Sequence, residues 1–289
     1  LLFIRVFSLL PLSVLYFLSD YFIYPLIRYV ARYRLNLVRK NIRLSFPEKS
    51  PQEQKAIINA FYHQFADVLV EIIYGYRISD EEMRERFVFE NVEVVEELAH
   101  RNKGVFFMLG HLGNWEWIAD LNKRFVDRSM VEYNIYRQLK NPRSNEMMLA
   151  LRGKRGGECI EKNHLLRKLV SLRKAEHNFV LGMLSDQKPS KRSTYAWTQF
   201  LNQETAFLNG SEVLAKKFGF SAVYAHILSP KRGYYTVRFE LITDNPAAMP
   251  DEEMTLKYAA LLEQNIHAQP EQWLWTHNRW KWGRKELEG

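Results

Sequence analysis

The segment GHLGNWEW, residues 110–117, places a histidine, an asparagine and a glutamate directly after the apolar run at residues 105–109. On a continuous helix, His111 and Glu116 would be rotated about 140° apart, so their side chains could meet only across a turn. The two glycines of the segment permit such a turn, because glycine adopts backbone conformations that other residues avoid. The pattern predicts a loop histidine that is backed by a carboxylate in the first turn of a helix. Asn114 is the predicted N-cap of that helix and a candidate substrate contact.

A carboxylate beside an imidazole can hold one ring tautomer and stabilise the protonated ring, so the pair predicts a general base. The chain has no Gly-x-Ser-x-Gly segment that would supply a serine nucleophile. Cys159 is the single cysteine, and nothing in the sequence places it near His111. We therefore expect His111 to activate a hydroxyl of the substrate, which then attacks an acyl carbonyl. The alternative is that His111 and Glu116 only cap and pack the helix, since H-x-x-x-x-E is a short and common pattern.

The elements that must position these residues alternate between short apolar runs and helical stretches, which predicts a mixed α/β sheet flanked by helices. The expected strands are residues 105–109, 131–136, 157–160, 179–184, 220–228 and 234–242, and the expected later helices are residues 115–125, 143–152, 163–174, 209–218 and 251–268. Ligands bind beyond the carboxyl ends of the strands in such sheets, so His111 and Asp186 should share one edge. Asp186 would there bind substrate or position a basic residue, or else simply cap a turn.

Earlier in the chain, two segments have the sequence of a capping box. Ser50 and Glu53 predict the start of one helix, and Ser79 and Glu82 the start of another. Residues 91–101 predict a further helix, which Gly104 should terminate.

The N-terminal residues 1–27 carry only Arg5 and Asp20 as charged side chains, and six Lys and Arg residues follow by residue 43. This order predicts a membrane-anchoring helix, spanning or monotopic, with the rest of the chain in the cytoplasm. The cations could also hold anionic headgroups. No small-residue cleavage site follows, so removal as a signal peptide is not expected. We expect residues 28–289 to form one catalytic domain; the alternative for residues 1–27 is a buried core helix.

The chain is basic, with 41 Lys and Arg against 33 Asp and Glu and a net charge of +8. Such a charge favours anionic partners, including lipid headgroups and phosphorylated substrates. No zinc-finger, helix-turn-helix or aromatic RNA-binding pattern is present, so nucleic acid is not an expected partner.

Five ordered segments are similar to one family. GHLGNWEW resembles the first motif of the bacterial lipid A late acyltransferases (lauroyl/myristoyl acyltransferases), within the lysophospholipid acyltransferase superfamily. The later blocks of that family are resembled, in the same order, by IYRQLKNPRSNEMM with LRGKRGGECI, LGMLSDQKP, FLNQETAFLNGSEVLAKKFG and QPEQWLWTHNRWKW. The blocks span roughly residues 105–282, so a chance match is improbable.

The resemblance implies a glycerol-phosphate acyltransferase-like α/β fold at the inner membrane, with the catalytic domain on the cytoplasmic face. It implies that a fatty acyl chain passes from acyl carrier protein, or sometimes coenzyme A, to a hydroxyl of a lipid A precursor. That acceptor is a phosphorylated glycolipid. A lysophospholipid or an amino-acid-containing lipid stays open as the alternative acceptor. The family requires no metal or redox cofactor, so none is expected.

By motif position, the resemblance makes His111 the base and Glu116 its partner. The basic residue of the second block falls on Arg152 or Arg155, which could bind a phosphate of the acceptor or the carrier's phosphopantetheine, or be a solvated face. Asp186 matches the acidic residue after the fourth strand.

The chain closes on an aromatic and basic segment, in which Arg279 is a candidate substrate contact. Tryptophan beside Lys and Arg suits the lipid headgroup zone. Trp273 and Trp275 could equally be core residues, and we expect at least one of them to be.

Overall fold

The strands and helices are given by a computed structural model that describes residues 6–138, 141–190 and 193–288, without the side chains of Ser144, Met147 and Leu151. The described strands, β1 to β9, are Phe87–Glu90, Gly104–Leu109, Val131–Tyr136, Glu158–Glu161, Phe179–Leu184, Tyr195–Phe200, Gln203–Leu208, Ser221–Lys231 and Tyr234–Thr243. The described α-helices, α1 to α10, are Leu12–Leu18, Leu35–Ser45, Pro51–Tyr74, Asp80–Arg86, Val92–Asn102, Pro142–Gly153, Leu165–Lys174, Gly210–Phe218, Glu253–Ala268 and Arg284–Glu288.

Seven strands form one sheet in the order β1-β9-β8-β2-β5-β3-β4. Its neighbouring pairs are parallel except for β8 and β9. Parallel strands need long crossovers, and the helices in these connections bury both faces of the central strands. This explains why every residue of β2 is buried and why its sequence is continuously apolar rather than alternating. The predicted mixed α/β sheet flanked by helices is confirmed.

The sequence did not predict β1 or the antiparallel hairpin of β6 and β7, which lies apart from the main sheet. The helix expected after Asn114 is a 3-10 helix, Trp115–Lys123. The helix expected at 91–101 is α5, and its end differs from the prediction. Lys103, with a φ of 70°, terminates it, while Gly104 is already the first residue of β2.

Of the two predicted capping boxes, one is confirmed and the other forms only in part. Ser50 and Glu53 form the full capping box at the start of α3, with Ser50 N donating to Glu53 Oε2 at 2.8 Å. At α4, Ser79 Oγ accepts from Glu82 N at 3.1 Å. The Glu82 carboxylate turns instead to Tyr74 and Arg86, so only half of the second box forms.

The N-terminal segment lies against α3 and is not one continuous α-helix. After α1, two π-helical stretches follow, Ser19–Ile23 and Leu26–Val30. Leu12 and Leu15 pack with Val70 of α3. Among the described helices, only α3 is long and apolar enough to cross a membrane, and half of that apolar window is buried inside the protein. Membrane anchoring by residues 1–27 stays a prediction.

Candidate active site

His111 and Asp186 face each other because two parallel strands end in register. Leu109 of β2 pairs with Leu184 of β5, and each polar residue follows its strand by the same two positions. His111 Nδ1 lies 2.6 Å from Asp186 Oδ1, and His111 backbone N donates to Asp186 Oδ2 at 2.8 Å. Trp273 Nε1 donates to Asp186 Oδ2 at 2.9 Å. An ionised carboxylate only accepts, so Nδ1 carries the proton and Nε2 is left as the basic nitrogen.

The electrostatics of this pair favour the ion pair. Burial opposes the charged imidazole, but the charge and hydrogen bonds of Asp186 outweigh it, so the pKa of His111 is raised above its ordinary value. Burial likewise opposes the Asp186 carboxylate, yet His111 and Trp273 hold its pKa down at about 2. Asp186 therefore stays ionised at neutral pH and orients the ring.

Gln187 approaches the other ring nitrogen. Its Nε2 lies 3.2 Å from His111 Nε2, the distance of an amide that donates to a neutral imidazole. The Trp115 ring packs edge-on against His111, with 5.1 Å between centroids. Sequence reasoning singled out neither residue, although Gln187 lies in the segment LGMLSDQKP, which was matched only as a block.

Glu116 contacts Arg152 and not the imidazole. Arg152 Nε donates to Glu116 Oε2 at 2.8 Å, and Arg152 Nη2 donates to Oε1 at 2.7 Å. The sequence prediction that Glu116 holds the ring tautomer is thus corrected, because Asp186 occupies that position. Strand register places Asp186 opposite Nδ1, whereas Glu116, in the 3-10 helix, points toward α6. The charge of Glu116 still raises the pKa of His111 as a smaller effect, and its catalytic role stays a prediction.

The two basic candidates of the second block have different surroundings. Arg152 lines a cavity together with His111 and Glu116. Arg155 is buried and donates to Asp80 Oδ1 at 3.1 Å and to the carbonyl oxygens of Gly75 and Ile78 at 3.3 and 3.2 Å. Arg155 therefore ties α6 to the end of α3, and Arg152 is the cation next to the imidazole.

Asn114 and Arg279 do not line that cavity. Asn114 is fully buried, and its Nδ2 donates to Glu71 Oε2 at 3.0 Å. It makes no side-chain cap hydrogen bond, so the N-cap prediction is right in position but wrong in contact, because a buried carboxylate takes its amide. Arg279 Nη2 donates to Ala206 O at 2.6 Å, and burial lowers the pKa of Arg279 to about 10. Their substrate-binding roles stay predictions.

The cavity beside His111 has a volume of about 570 Å³ and two kinds of wall. Apolar side chains line one part, including those of Ile135, Met148, Leu149, Leu184 and Leu208. Beyond Arg152, three more cations of the described residues line it, namely Arg137, Lys162 and Lys188. Sequence reasoning did not single these out, although Arg137 and Lys188 fall inside matched blocks. The cavity can therefore accept an apolar chain and an anionic group together.

Other reactive groups are few within the described part of the chain. No group of three or more His, Cys, Asp or Glu side chains there could hold a metal ion. Burial raises the pKa of Cys159, which disfavours the nucleophilic thiolate. Trp273 and Trp275 are both buried in the main core, as expected for at least one of them.

Comparison with known proteins agrees with the predicted resemblance. The bacterial lipid A biosynthesis acyltransferase family matches residues 1–282. The chain is 26% identical to the lipid A biosynthesis palmitoleoyltransferase of Escherichia coli K12, over 94% of this chain and 86% of that protein. It is 23% identical to the lipid A biosynthesis lauroyltransferase of the same organism, over 94% and 87% of the two chains. The chain therefore belongs to the bacterial lipid A biosynthesis acyltransferase family and is an acyltransferase.

Proposed function

We propose that this enzyme transfers a fatty acyl chain from acyl carrier protein to a hydroxyl of a lipid A precursor, at the cytoplasmic face of the inner membrane. The observation that carries the proposal is the His111–Asp186 pair at a cavity with both apolar and cationic walls. The names of the relatives, palmitoleoyltransferase and lauroyltransferase of lipid A biosynthesis, support the acceptor class.

The reaction needs one proton carrier. His111 Nε2 takes the proton from the acceptor hydroxyl while the hydroxyl oxygen attacks the thioester carbonyl. A carbon–oxygen bond forms, the carbon–sulfur bond breaks, and the imidazolium returns the proton to the departing thiolate. Asp186 keeps Nε2 as the accepting nitrogen and stabilises the ring when it is charged.

Arg152 supplies positive charge at the same place. Glu116 fixes its guanidinium by two hydrogen bonds, so little rotational freedom is lost when an anion binds. We assign Arg152 to the negative charge of the substrates, and Glu116 to holding Arg152. The cations Arg137, Lys162 and Lys188 suit a phosphate of the acceptor or of the carrier's phosphopantetheine. The apolar walls suit the acyl chain.

The substrates are tested by direct transfer. Purified enzyme receives the same acyl chain on acyl carrier protein or on coenzyme A, at matched concentration and salt, and products are read by mass spectrometry. We expect one added acyl chain on a lipid A precursor and faster transfer from the carrier protein. Equal or faster transfer from coenzyme A would reject the donor, and transfer to a lysophospholipid instead of the lipid A precursor would reject the acceptor.

A further inference from the structure

A second concave site lies at the N-terminal side of the molecule, between α2 and α3. The cleft has a volume of about 470 Å³ and five cationic side chains, those of Arg28, Arg39, Lys40, Arg43 and Lys55. No carboxylate of the described part of the chain lines it. Within the described residues, none of these five cations forms an ion pair with an acidic side chain. Positive charge is thus concentrated in a cleft without internal neutralisation.

Arg28 makes this a built site and not a chance grouping of surface lysines. Only 6% of Arg28 is exposed. Its Nε and Nη2 donate to Asn59 Oδ1 at 3.2 and 3.0 Å, and its guanidinium lies 5.2 Å from the Tyr29 ring centroid and 5.4 Å from that of Tyr62. A charge withdrawn from water ordinarily has an anionic partner. Here a neutral amide and two rings hold the guanidinium, and no acidic side chain of the described residues pairs with it.

Of the other cations, Arg39, Lys40 and Arg43 lie on α2 and Lys55 lies on α3. Val38 and Ile42 of α2 are fully buried, and Asn41 Nδ2 donates to Trp275 O at 3.0 Å. Arg39 and Arg43, one turn apart, lie on the exposed face of that helix. The segment that contains Trp275 also supplies Trp273, which binds Asp186. The helix α2 of the cleft and Asp186 of the catalytic pair therefore contact the same short segment.

Exposed apolar side chains flank Arg28 in the sequence. Leu26 is 53% exposed, Tyr29 57%, Val30 74% and Tyr33 44%. A free anion such as phosphate would use the cations but would leave these side chains in water. The interface of a bilayer satisfies both, because tyrosine and apolar side chains enter the headgroup boundary beside cations that attract anionic lipid.

We propose that this cleft binds the phosphate headgroup of an acidic membrane phospholipid, while the side chains from Leu26 to Tyr33 enter the bilayer interface. The bound lipid is a docking ligand and is separate from the acceptor in the catalytic cavity. Since α2 packs by its other face on the segment beside the catalytic pair, this contact would hold the catalytic domain at a fixed position on the membrane.

The test uses the full chain and co-flotation with vesicles of phosphatidylcholine, with and without phosphatidylglycerol. The variant R39Q/K40Q/R43Q removes three cations from the cleft. The control R167Q/K174Q/K217Q removes the same charge from exposed positions on α7 and α8. Three interfacial cations account for roughly a 100-fold change in affinity for anionic vesicles. We expect that loss in the cleft variant, little loss in the control, and no difference on neutral vesicles.

Two further measurements separate the sources of the anion. Glycerol phosphate at matched ionic strength should not displace the protein from vesicles, and Leu26→Ser with Val30→Ser should weaken vesicle binding while the cations remain. Equal binding losses in the cleft variant and the control would overturn the proposal, since only net charge would then matter. It would also be overturned if the cleft variant kept its vesicle binding but lost turnover with acyl carrier protein in detergent, because the cleft would then be a protein-docking surface.

Discussion

At the scale of single residues, the partner of His111 determines how activity depends on pH. Asp186 raises the pKa of His111, and a general base works only when it is neutral. The acid limb of kcat/KM should therefore lie above the ordinary histidine value of about 6.5. Asp186→Asn should move that limb to lower pH and reduce turnover by roughly 100-fold or more, because the ring loses its fixed tautomer. A pH profile of kcat/KM is the measurement, and an unmoved acid limb would contradict the pairing.

Glu116 provides the matched comparison. Its charge is a smaller influence on His111 than that of Asp186, and its oxygens are occupied by Arg152. Glu116→Gln should lower kcat/KM through Arg152 but shift the acid limb less than Asp186→Asn does. Glu116→Ala combined with Arg152→Ala should be little worse than either change alone, because residues that act as a unit are not additive. A larger pH shift from Glu116→Gln would restore Glu116 as the direct partner of the ring.

The sequence contained each of these residues but not their pairing. His111 and Glu116 are close along the chain, so local spacing favoured that pair. His111 and Asp186 are 75 residues apart and meet only because β2 and β5 are parallel neighbours in a particular register. Neither strand order nor register is encoded in a spacing. The sequence also left open whether Arg152 or Arg155 lines the cavity, because that depends on how the end of α6 packs against the rest of the fold.

At the scale of elements, the loop that carries His111 is supported by a buried carboxylate of α3. Glu71 accepts hydrogen bonds from Tyr16 Oη at 2.8 Å, from Tyr235 Oη at 2.8 Å and from Asn114 Nδ2 at 3.0 Å. Gly113 has a φ of +52°, and a Cβ there would lie 2.7 Å from the Tyr235 ring. The loop thus fits against a side chain that Glu71 fixes.

Gly113→Ala should therefore cost at least about 1–2 kcal/mol of stability from its backbone conformation alone, and should lower kcat by moving His111. Gly210→Ala is the control, because nothing lies within 4 Å of a Cβ at that helical position. Urea unfolding and transfer rates of both variants are the measurements. Equal behaviour of the two alanine variants would mean that Tyr235 does not constrain the loop.

A second buried carboxylate makes stability depend on pH. Glu132 in β3 accepts from Asn122 N at 2.8 Å, which ties down the end of the 3-10 helix that carries Glu116. Burial raises the pKa of Glu132 to about 8, from 4.5, despite hydrogen bonds from Asn134 and Asn122. Between these pH values the unfolded chain has released a proton that the folded protein retains. The contribution of Glu132 to the free energy of unfolding is therefore full below about pH 4.5 and is lost as pH rises to about 8. Glu132→Gln should reduce the decrease of the free energy of unfolding with pH, measured by urea unfolding. An unchanged pH dependence would mean that Glu132 is already ionised in the folded protein.

Elements were predicted correctly where their burial requires a characteristic run of apolar residues. Continuous apolar runs gave the central strands, because a strand covered on both faces needs them. The hairpin of β6 and β7 was not predicted, because its turn places Leu201 and Asn202 at positive φ and lacks the usual glycine. The four-residue β1 was too short to show any period.

At the scale of the whole molecule, the N-terminal segment is joined to the catalytic domain by polar contacts. Tyr16 binds Glu71, and Arg232 binds Asp20 through Nη2 at 2.7 Å and Asp67 through Nε at 2.8 Å. The domain boundary at residues 27 and 28 stays a prediction, but these contacts cross it. Composition alone gives the net charge. Which cations line the catalytic cavity and which line the cleft between α2 and α3 depends on the fold.

The central claim is that His111, oriented by Asp186, is the base of acyl transfer, and single-turnover transfer by His111→Ala tests it most directly. The rate from acyl carrier protein to the lipid A precursor is compared with that of His226→Ala, whose ring lies on β8 beside Glu240. Circular dichroism is the check that both variants fold. We predict that His111→Ala loses about 100- to 10,000-fold in rate while His226→Ala stays near the parent. Near-parental transfer by folded His111→Ala would contradict the account.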